Sequence, residues 1–412
     1  MALHTLGEIY TPDALEMQKE RYAQAAAEFE RLYGTKPLRF FSAPGRTEVG
    51  GNHTDHNHGR VLAAGVSLDV IAAVIPTDDG IVEVKSAGFP LDTVDLSDLT
   101  VHDDELNTSA SLIRGVAAGF SKNGHKIGGF KAYTTSNVLK GSGLSSSAAF
   151  EVLIGNILNG LYNEHSVSAV EIAQLSQYAE NVYFGKPSGL MDQMASSVGG
   201  FITIDFADPA QPVIDSIDFD FASSGHRLCI VDTKGSHADL TPEYAAVPQE
   251  MKAVAQFFGK EVLREVDKDT LVSNITAIRE KLGDRAVLRA LHFIDENERV
   301  LRESDALVNK DFDTFLDVVK ESGRSSYMYL QNVFAASDPT HQGLSLALWL
   351  ASDVLGDRGA CRVHGGGFAG TIQAFVPEDL AEKFVSVVGG VFGEGSCYML
   401  SIRPFGGTEV KL

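Results

Sequence analysis

The sequence predicts a two-domain protein of mixed helices and strands, in the α+β or α/β class. Its 412 residues are enough to build two hydrophobic cores. Helix and strand patterns occur in both halves of the chain, which favours layers of helices packed on sheets. Between residues 205 and 225, Asp-Pro, Gln-Pro and Ser-Ser-Gly steps indicate a junction. We therefore expect an N-terminal domain over residues 1–215 and a C-terminal domain over residues 216–412.

The composition is that of an ordinary globular protein, with 44% hydrophobic and 22% charged residues. A net charge of −21 argues against nucleic acid or an anionic membrane as the main partner. The N-terminus lacks the basic and apolar regions of a signal peptide, and no apolar run reaches the roughly 18 residues of a membrane span. The three cysteines, Cys229, Cys361 and Cys397, are widely spaced and form no CxxC pattern, which argues against a disulfide framework. We expect a cytoplasmic protein.

The first half carries most of the predicted strands. Apolar residues at helical spacing predict helices at 12–33, 108–122 and 168–184, with a capping pair at Ser168 and Glu171. Alternating and β-branched runs predict strands at 38–42, 81–85 and 129–135, and strand pairing within 60–76. The first of these strands is expected to end at Ala43-Pro-Gly45, and residues 185–194 are expected to form a loop.

The second half is predicted to be richer in helices. It begins with a strand at 228–232, and helical stretches follow between residues 243 and 355. The remaining elements are strands at 361–364, 371–376 and 397–403 and a helix near 378–389.

A glycine–serine loop at 139–151 leads directly into an amphipathic helix. Gly141 and Gly143 allow backbone angles that a Cβ forbids, and the serines at 145–147 can cap the helix. Free N–H groups and the positive end of the helix dipole favour phosphate binding. The loop is neither a Walker A motif nor a dinucleotide fingerprint. Taken alone, it is either a capped turn or a nucleotide-phosphate site.

A segment rich in histidine lies between Pro44 and Gly59. It contains His53, Asp55, His56 and His58, and this set permits three interpretations. Zinc sites on one short segment usually recruit further ligands from a distance, and no matching pair is present. A solvated turn is the second alternative. A polar substrate loop fits the residue types best, because His, Asn and Asp can donate to and accept from several sugar hydroxyls.

Two charged residues near these loops have a structural and a functional interpretation each. Arg46 either pairs with a surface acid or offers a permanent, planar charge to a transferring phosphate. Asp192, between two methionines, either caps the next turn or orients and deprotonates a hydroxyl.

Residues 362–371 contain the pattern G-x-G-x-x-G at Gly365, Gly367 and Gly370. The residues after it, Thr371 onwards, continue as a predicted strand, whereas a dinucleotide-binding unit requires a helix there. We expect the glycines to allow close packing of the backbone against a ligand or another loop.

Four motifs, taken together and in order, resemble those of the GHMP small-molecule kinases, and within them most closely the galactokinase family. They span nearly the whole chain. The matching stretches are Ala43-Pro-Gly-Arg with Gly51-Asn-His-Thr-Asp55, Gly141–Ala149, Gly189-Leu-Met-Asp-Gln193 and Arg362–Thr371.

This resemblance implies a bilobal α+β fold, with an N-terminal ribosomal-S5-like domain and a C-terminal ferredoxin-like domain that enclose the site. It also implies ATP-dependent phosphorylation of a sugar at its anomeric hydroxyl, with Mg²⁺ as cofactor. The expected partners are therefore ATP and a small sugar, in a monomer or weak oligomer.

The resemblance assigns roles residue by residue. Asp192 would be the catalytic base or orienting acid, and Arg46 would stabilise the developing charge. Mg²⁺ would be held by Ser147 and Glu180, which is consistent with the preference of this ion for few, hard oxygen ligands. The sugar would be bound by Asn52, His53, Asp55, Asp192 and Tyr244. ATP would be bound by Ser86, Gly141, Ser142, Gly143, Leu144, Ser145, Ser146 and Ser147.

The chain departs from the family pattern at four places, three of which lie in or next to residues 51–59, which we call the sugar loop. The family usually has Glu at position 52, Tyr at 56 and Asn at 48, where this chain has Asn52, His56 and Glu48, and a basic pair where Ala245-Ala-Val-Pro stands. One lost or mismatched hydrogen bond to a sugar changes specificity by about 1–3 kcal/mol. A galactokinase is therefore the first hypothesis, and a related sugar 1-kinase or a non-catalytic sugar and ATP sensor are the alternatives.

Overall fold

The computed structural model describes residues 3–138, 143–235 and 240–412, which form two β-sheets surrounded by helices. The mixed α+β class is confirmed. The strands are β1 His4–Thr5, β2 Arg39–Gly50, β3 Arg60–Pro76, β4 Ile81–Ser86, β5 Leu91–Asp95, β6 Phe130–Ser136, β7 Phe201–Asp205, β8 Val213–Ile217, β9 His226–Asp232, β10 Ala360–Val363, β11 Thr371–Pro377, β12 Cys397–Leu400 and β13 Thr408–Lys411.

The helices lie mainly in the middle and the second half of the chain. They are α1 Leu6–Ile9, α2 Leu15–Tyr33, α3 Ser109–Lys122, α4 Ser146–Tyr162, α5 Ala169–Tyr178, α6 Met191–Val198, α7 Thr241–Phe257, α8 Lys268–Ser273, α9 Ile275–Leu282, α10 Asp284–Val308, α11 Phe312–Ser325, α12 Gly343–Leu355 and α13 Ala381–Phe392. π-helical turns follow α5 at Ala179–Phe184 and α11 at Ser326–Leu330. In the described residues, no helix is both long and apolar enough to cross a membrane.

The larger sheet has the strand order β1-β13-β2-β3-β6-β4-β5, and the hairpin of β7 and β8 joins it along β3. The long strand β3 makes this possible, because its first residues pair with β7 and its last residues pair with β6. A core of apolar residues from α3, α4 and α5 covers one face of the sheet, while α2 packs on the other face.

The smaller sheet has the order β10-β11-β9-β12. Its strand β9 is buried on both faces: Leu228 and Ile230 belong to the core shared with α10 and α11, and Cys229 and Val231 to the core shared with α12 and α13. This explains why the run 228–231 is continuously apolar rather than alternating. The predicted division of the chain after residue 215 falls inside β8 and stays a prediction.

Two predicted boundaries differ from the structure. The strand predicted at 38–42 continues through Pro44 to Gly50, with register shifts between Pro44 and Arg46 and between Glu48 and Gly50. Such bulges let a strand pass a proline and redirect the side chains that follow it. The predicted loop at 185–194 ends early, because α6 begins at Met191 and Asp192 lies in its first turn. Pro187 and Gly189 conceal this helix start in the sequence.

Candidate active site

The site lies where the bulged part of β2, the start of α4, the start of α6 and the turn at residues 364–370 meet. Arg46 follows the first bulge of β2, and its backbone N–H donates to the carbonyl oxygen of Leu144 at 3.0 Å. Gly45 is needed for this approach, since a Cβ there would lie 2.9 Å from that same oxygen. The bulge therefore holds the loop before α4 against β2.

Arg46 and Asp192 form an ion pair at the centre of the site. The Nε atom of Arg46 donates to Oδ1 of Asp192 at 2.7 Å, and its Nη1 atom donates to the carbonyl oxygen of Gly143. Burial alone would raise the pKa of Asp192. The charge of Arg46 and the hydrogen bonds from Arg46 and Ser145 outweigh burial and lower this pKa below 3.8. Asp192 is therefore ionised at neutral pH, and its side chain keeps 27% of its surface exposed.

The described residues directly before α4 form a tight turn. Gly143 has φ of +73° and Ser145 has φ of +54°, both in the left-handed region. Ser145 occupies the N-cap position, but its side chain makes no capping hydrogen bond, so the predicted serine cap is wrong for this residue. Leu144 is buried, whereas Ser146 and Ser147 are half-buried in the first turn. Gly141 and Ser142 lie outside the described residues.

Ser147 and Glu180 lie together, as the predicted metal site requires. The Ser147 hydroxyl donates to Oε1 of Glu180 at 3.2 Å. Two oxygen ligands of one octahedral Mg²⁺ are about 2.9 Å apart, because each lies about 2.0–2.1 Å from the ion. These hard oxygen donors therefore fit the ion with little movement.

The Glu180 carboxylate has three further partners, none of which the sequence analysis identified. Lys186 Nζ lies 2.8 Å from Oε1, and Oε2 accepts from the Ser188 hydroxyl at 2.5 Å and from Gln193 Nε2 at 2.8 Å. The same Gln193 nitrogen also donates to Glu151 Oε2 at 3.0 Å. We call Arg46, Asp192, Ser147, Glu180 and Lys186 the catalytic network.

Glu151 lies buried behind Glu180, with its Oε1 atom lacking a hydrogen-bond partner in the described structure. Burial and the nearby charge of Glu180 raise the pKa of Glu151 well above its usual value. Its neutral form keeps a second full negative charge away from Glu180. An acid on the otherwise apolar face of α4 was the sequence signal for this group.

The sugar loop follows β2 and brings Asp55 towards Asp192. A Cβ added to Gly189 would lie 2.9 Å from Asp55 Oδ2, so the glycine leaves space for this carboxylate. Burial is the main cause that raises the pKa of Asp55, and the negative charge of Asp192 adds to it. His53 is half-buried, and its Nε2 lies 2.9 Å from the carbonyl oxygen of Gly366.

His56 lies beside His53, with Nε2 of His56 3.4 Å from Nδ1 of His53. Burial and the neighbouring His53 lower the pKa of His56 to about 3, so this ring is neutral at physiological pH. The sugar loop therefore carries a neutral imidazole at position 56, where the family usually has Tyr.

Asn52 is placed differently from its neighbours on the loop. Its side chain is fully buried, and Nδ2 donates to Glu48 Oε1 at 2.9 Å and to the Gly365 carbonyl at 2.8 Å. Its Oδ1 accepts from Asn332 at 2.9 Å and from Ser326 at 3.2 Å. These contacts are those of a structural residue. A contact between Asn52 and the sugar stays a prediction that the geometry does not favour.

Asn52 belongs to a buried network of charged and polar residues. Arg362 donates to Glu48 Oε1 at 2.7 Å, and Arg299 donates to Glu296 Oε2 at 2.7 Å. The backbone N–H of Asn52 donates to Glu296 Oε1 at 3.3 Å. We call Glu48, Asn52, Glu296, Arg299 and Arg362 the buried network.

The turn at residues 364–370 closes the site from the second half of the chain. Gly365, Gly367 and Gly370 all have positive φ, and a Cβ at Gly367 would lie 2.0 Å from the Asn332 carbonyl oxygen. The expected close packing is therefore observed, and β11 follows the turn in place of a helix. The Tyr244 hydroxyl donates to the Gly367 carbonyl at 2.8 Å, so Tyr244 contacts this turn.

His364 connects this turn to Gly143 in the loop before α4. The sequence did not predict it as a site residue. A Cβ on Gly143 would lie 3.1 Å from Nδ1 of His364, and Nε2 lies 3.1 Å from the Thr47 hydroxyl. Burial, together with the charges of Arg46 and Arg362, lowers the pKa of His364 to about 3.

Ser86 lies farther along the larger sheet, where its hydroxyl accepts from Thr134 of β6 at 2.8 Å. Its contact with ATP stays a prediction.

Comparison with known proteins places the chain in a family. Residues 27–76 match the galactokinase galactose-binding signature, and residues 111–200 match the GHMP kinases N terminal domain. The chain is 35% identical over 355 residues to the galactokinase of Streptomyces coelicolor, covering 84% of this chain and 87% of that protein. It is 30% identical over 380 residues to the galactokinase of Lactobacillus helveticus, covering 90% and 94%.

Solved structures agree with this assignment. The galactose complex of Lactococcus lactis galactokinase superimposes with a TM-score of 0.77 at 26% identity, covering 94% of this chain and 99% of that one. The mevalonate kinase of Methanococcus jannaschii shares the fold alone, with a TM-score of 0.64 at 13% identity. The match covers 90% of this chain and 99% of that one. The predicted GHMP-kinase fold is thereby confirmed. The chain belongs to the galactokinase family of GHMP kinases.

Proposed function

We propose that this protein is an ATP-dependent galactokinase that transfers the γ-phosphoryl group of ATP to the anomeric hydroxyl of galactose. The observation that carries the proposal is the ion pair of Arg46 and Asp192 beside the start of α4, 2.7 Å long and partly open to solvent. It joins a phosphate-binding helix start, a fixed cation and an ionised acid next to the sugar loop, which is the set that phosphoryl transfer requires.

Asp192 acts mainly by orienting the sugar hydroxyl. Its lowered pKa makes it a weak base before the reaction. In a loose transition state the attacking oxygen has lost little of its proton, so placement matters more than basicity. As the bond from the sugar oxygen to phosphorus forms and the bond to ADP breaks, the proton passes to the Asp192 carboxylate. Arg46 keeps that carboxylate in position and stabilises negative charge on the phosphoryl oxygens.

Ser147 and Glu180 would hold Mg²⁺, which neutralises charge on the ATP phosphates when bound. The two hard oxygens 3.2 Å apart support this assignment. The N–H groups at the start of α4 supply further positive potential to the phosphates. Together these groups explain how a chain of net charge −21 accepts a polyanion. A cytoplasmic location and a monomeric or weakly oligomeric state stay predictions.

A related sugar 1-kinase with another acceptor is the second candidate. It is favoured by His56, whose neutral ring lies 3.4 Å from His53 on the sugar loop. A purely sugar-sensing role is less well supported, because Arg46, Asp192, Ser147 and Glu180 are all present and brought together.

The deciding experiment measures ADP release with MgATP and a panel of free sugars: galactose, glucose, N-acetylgalactosamine, 2-deoxygalactose, fucose and arabinose. We expect galactose to have the highest kcat/KM. A higher value for another sugar would replace galactose as the acceptor. Binding of galactose without release of ADP for any sugar would contradict the kinase function.

A further inference from the structure

Lys186 is a cation of the site to which neither the motifs nor the mechanism above assign a task. It lies in the segment between the π-helical turn and α6, the helix that carries Asp192. Its Nζ atom lies 2.8 Å from Glu180 Oε1, and its side chain is 55% exposed. Arg46, by contrast, is 9% exposed and is already engaged by Asp192 and the Gly143 carbonyl. Lys186 is therefore the more accessible of these two cations.

The oxygen that Lys186 contacts is the same one that Ser147 contacts. Oε1 of Glu180 accepts from the Ser147 hydroxyl at 3.2 Å, on the side where the metal ion is proposed. An ammonium group and a divalent cation bound to one carboxylate oxygen repel each other strongly at such a short separation. Lys186 and a divalent ion therefore exclude each other at Glu180 Oε1.

Glu180 does not depend on Lys186 for its position. Its other oxygen, Oε2, is held by the Ser188 hydroxyl at 2.5 Å and by Gln193 at 2.8 Å. When Lys186 leaves, the carboxylate thus stays in place. The lysine, with four carbons and an exposed end, is free to turn towards the start of α4.

We propose that Lys186 is a catalytic residue, whose ammonium group leaves Glu180 when MgATP binds and contacts the phosphate oxygens of ATP. This inference rests on the proposed function. In the free enzyme, Lys186 offsets the negative charge that Glu180 and Asp192 concentrate at the site. In the complex, it adds a mobile cation to the fixed charge of Arg46, and no covalent step is assigned to it.

The test compares Lys186→Met, which removes the charge at similar length, with Lys186→Arg, which keeps it. Lys19→Met is the matched control, because Lys19 is 58% exposed and also pairs with a glutamate, Glu16, at 2.7 Å on α2. Three quantities are measured: affinity for a fluorescent ATP analogue with MgCl₂, affinity for Mn²⁺ without nucleotide by electron paramagnetic resonance, and kcat and KM with galactose.

For Lys186→Met we expect nucleotide affinity and kcat each to fall at least tenfold, while the KM for galactose stays within twofold. Mn²⁺ affinity without nucleotide should rise at least threefold, because the competing ammonium group is gone. Lys186→Arg should recover most of the nucleotide affinity, and Lys19→Met should match the wild type in every quantity.

Nucleotide affinity and kcat within twofold of the wild type in Lys186→Met would overturn the proposal, whatever happens to Mn²⁺ binding. Weaker Mn²⁺ binding would also overturn it, because Lys186 would then be a support for Glu180. A wild-type protein that phosphorylates no sugar contradicts the proposed function instead, and the two binding measurements still decide the role of Lys186.

Discussion

The catalytic network and the buried network both pair basic side chains with acids, and each includes one neutral polar residue. They differ in their access to solvent. Asp192 and Lys186 are partly exposed, whereas Asn52, Glu296 and Arg362 are fully buried. In the buried network the charges face protein partners that cannot leave, so loss of one partner leaves a costly unpaired charge. In the catalytic network, ligands can replace the partners, which binding and catalysis require.

The comparison predicts that substitutions in the two networks affect different quantities. Changes in the catalytic network should reduce turnover with little effect on stability. Changes in the buried network should reduce stability with little effect on turnover of the folded protein. The four predictions below test this separation, from the largest expected effect to the smallest.

Asp192→Asn should reduce kcat at least 1000-fold, about 4 kcal/mol, because the orienting charge and the proton acceptor are both lost. ATP affinity should stay within threefold, since Asp192 does not hold the phosphates. ADP release and binding of a fluorescent ATP analogue measure the two effects. Asp205→Asn is the control, because Asp205 also pairs with arginines, Arg60 and Arg264, at 2.9 and 2.8 Å. Near-normal turnover of Asp192→Asn would contradict its assigned role.

Glu48→Gln should lower the free energy of unfolding by about 3 kcal/mol, because the fully buried Arg362 loses its counter-charge. The kcat of the folded variant should stay within threefold of the wild type. Urea denaturation gives the stability. In Glu28→Gln, which breaks an exposed pair with Arg31, the same assay should show no resolvable loss of stability, because solvent screens the pair. Equal losses in both variants would remove the distinction between buried and exposed charge.

Ser147→Ala should raise the Mg²⁺ concentration for half-maximal activity about tenfold, because one of two proposed protein ligands is lost. The control is Ser168→Ala, since Ser168 caps α5 by accepting from the Glu171 N–H. That variant should lose about 1 kcal/mol of stability and keep the wild-type dependence on Mg²⁺. The assignment of Ser147 fails if its variant keeps that dependence too.

Glu303→Gln tests how stability depends on pH next to the buried network, since Glu303 lies near Glu296. Glu303 is fully buried, both its carboxyl oxygens lack a hydrogen-bond partner in the described structure, and burial and nearby Glu296 raise its pKa well above 4.5. Between the pKa of Glu303 in the unfolded chain and its higher pKa in the folded protein, only the folded protein keeps the proton. The wild type therefore loses stability as pH rises through this range. Relative to the wild type, the variant should gain about 1 kcal/mol between pH 5 and pH 6. Urea denaturation at both values checks this, and a constant difference would contradict it.

The sequence predicted the groups of the catalytic network better than it predicted their surroundings. Short motifs carry Arg46, Ser147 and Asp192, and the family resemblance that these motifs establish also assigned Glu180. Gln193 ends the motif that carries Asp192, and Lys186 lies in the predicted loop before that motif, yet their contacts with Glu180 depend on how the π-helical turn and α6 pack. No local pattern predicts that packing.

Asn52 shows the limit of local reasoning more clearly. Its position in the sugar loop predicted a sugar contact, but its side-chain partners include Gly365, Ser326 and Asn332, which lie far away in the sequence. These groups surround Asn52 only because the tertiary fold brings residues 326–365 next to the loop. The fold class and most elements follow from period and composition, whereas the burial of a single polar side chain depends on distant neighbours.

The pairing of β13 with β2 affects how the enzyme can be synthesised. Arg46 stands on β2, and residues Thr408–Lys411 form the neighbouring strand of the same sheet, between β2 and β1. At usual translation rates, β13 leaves the ribosome roughly 20–70 s after β2. Until then, β2 has an open edge and β1 has no partner in the sheet. A nascent chain interrupted before residue 408 would thus carry all four motifs, but β2, the strand that carries Arg46, would still lack one of its neighbouring strands.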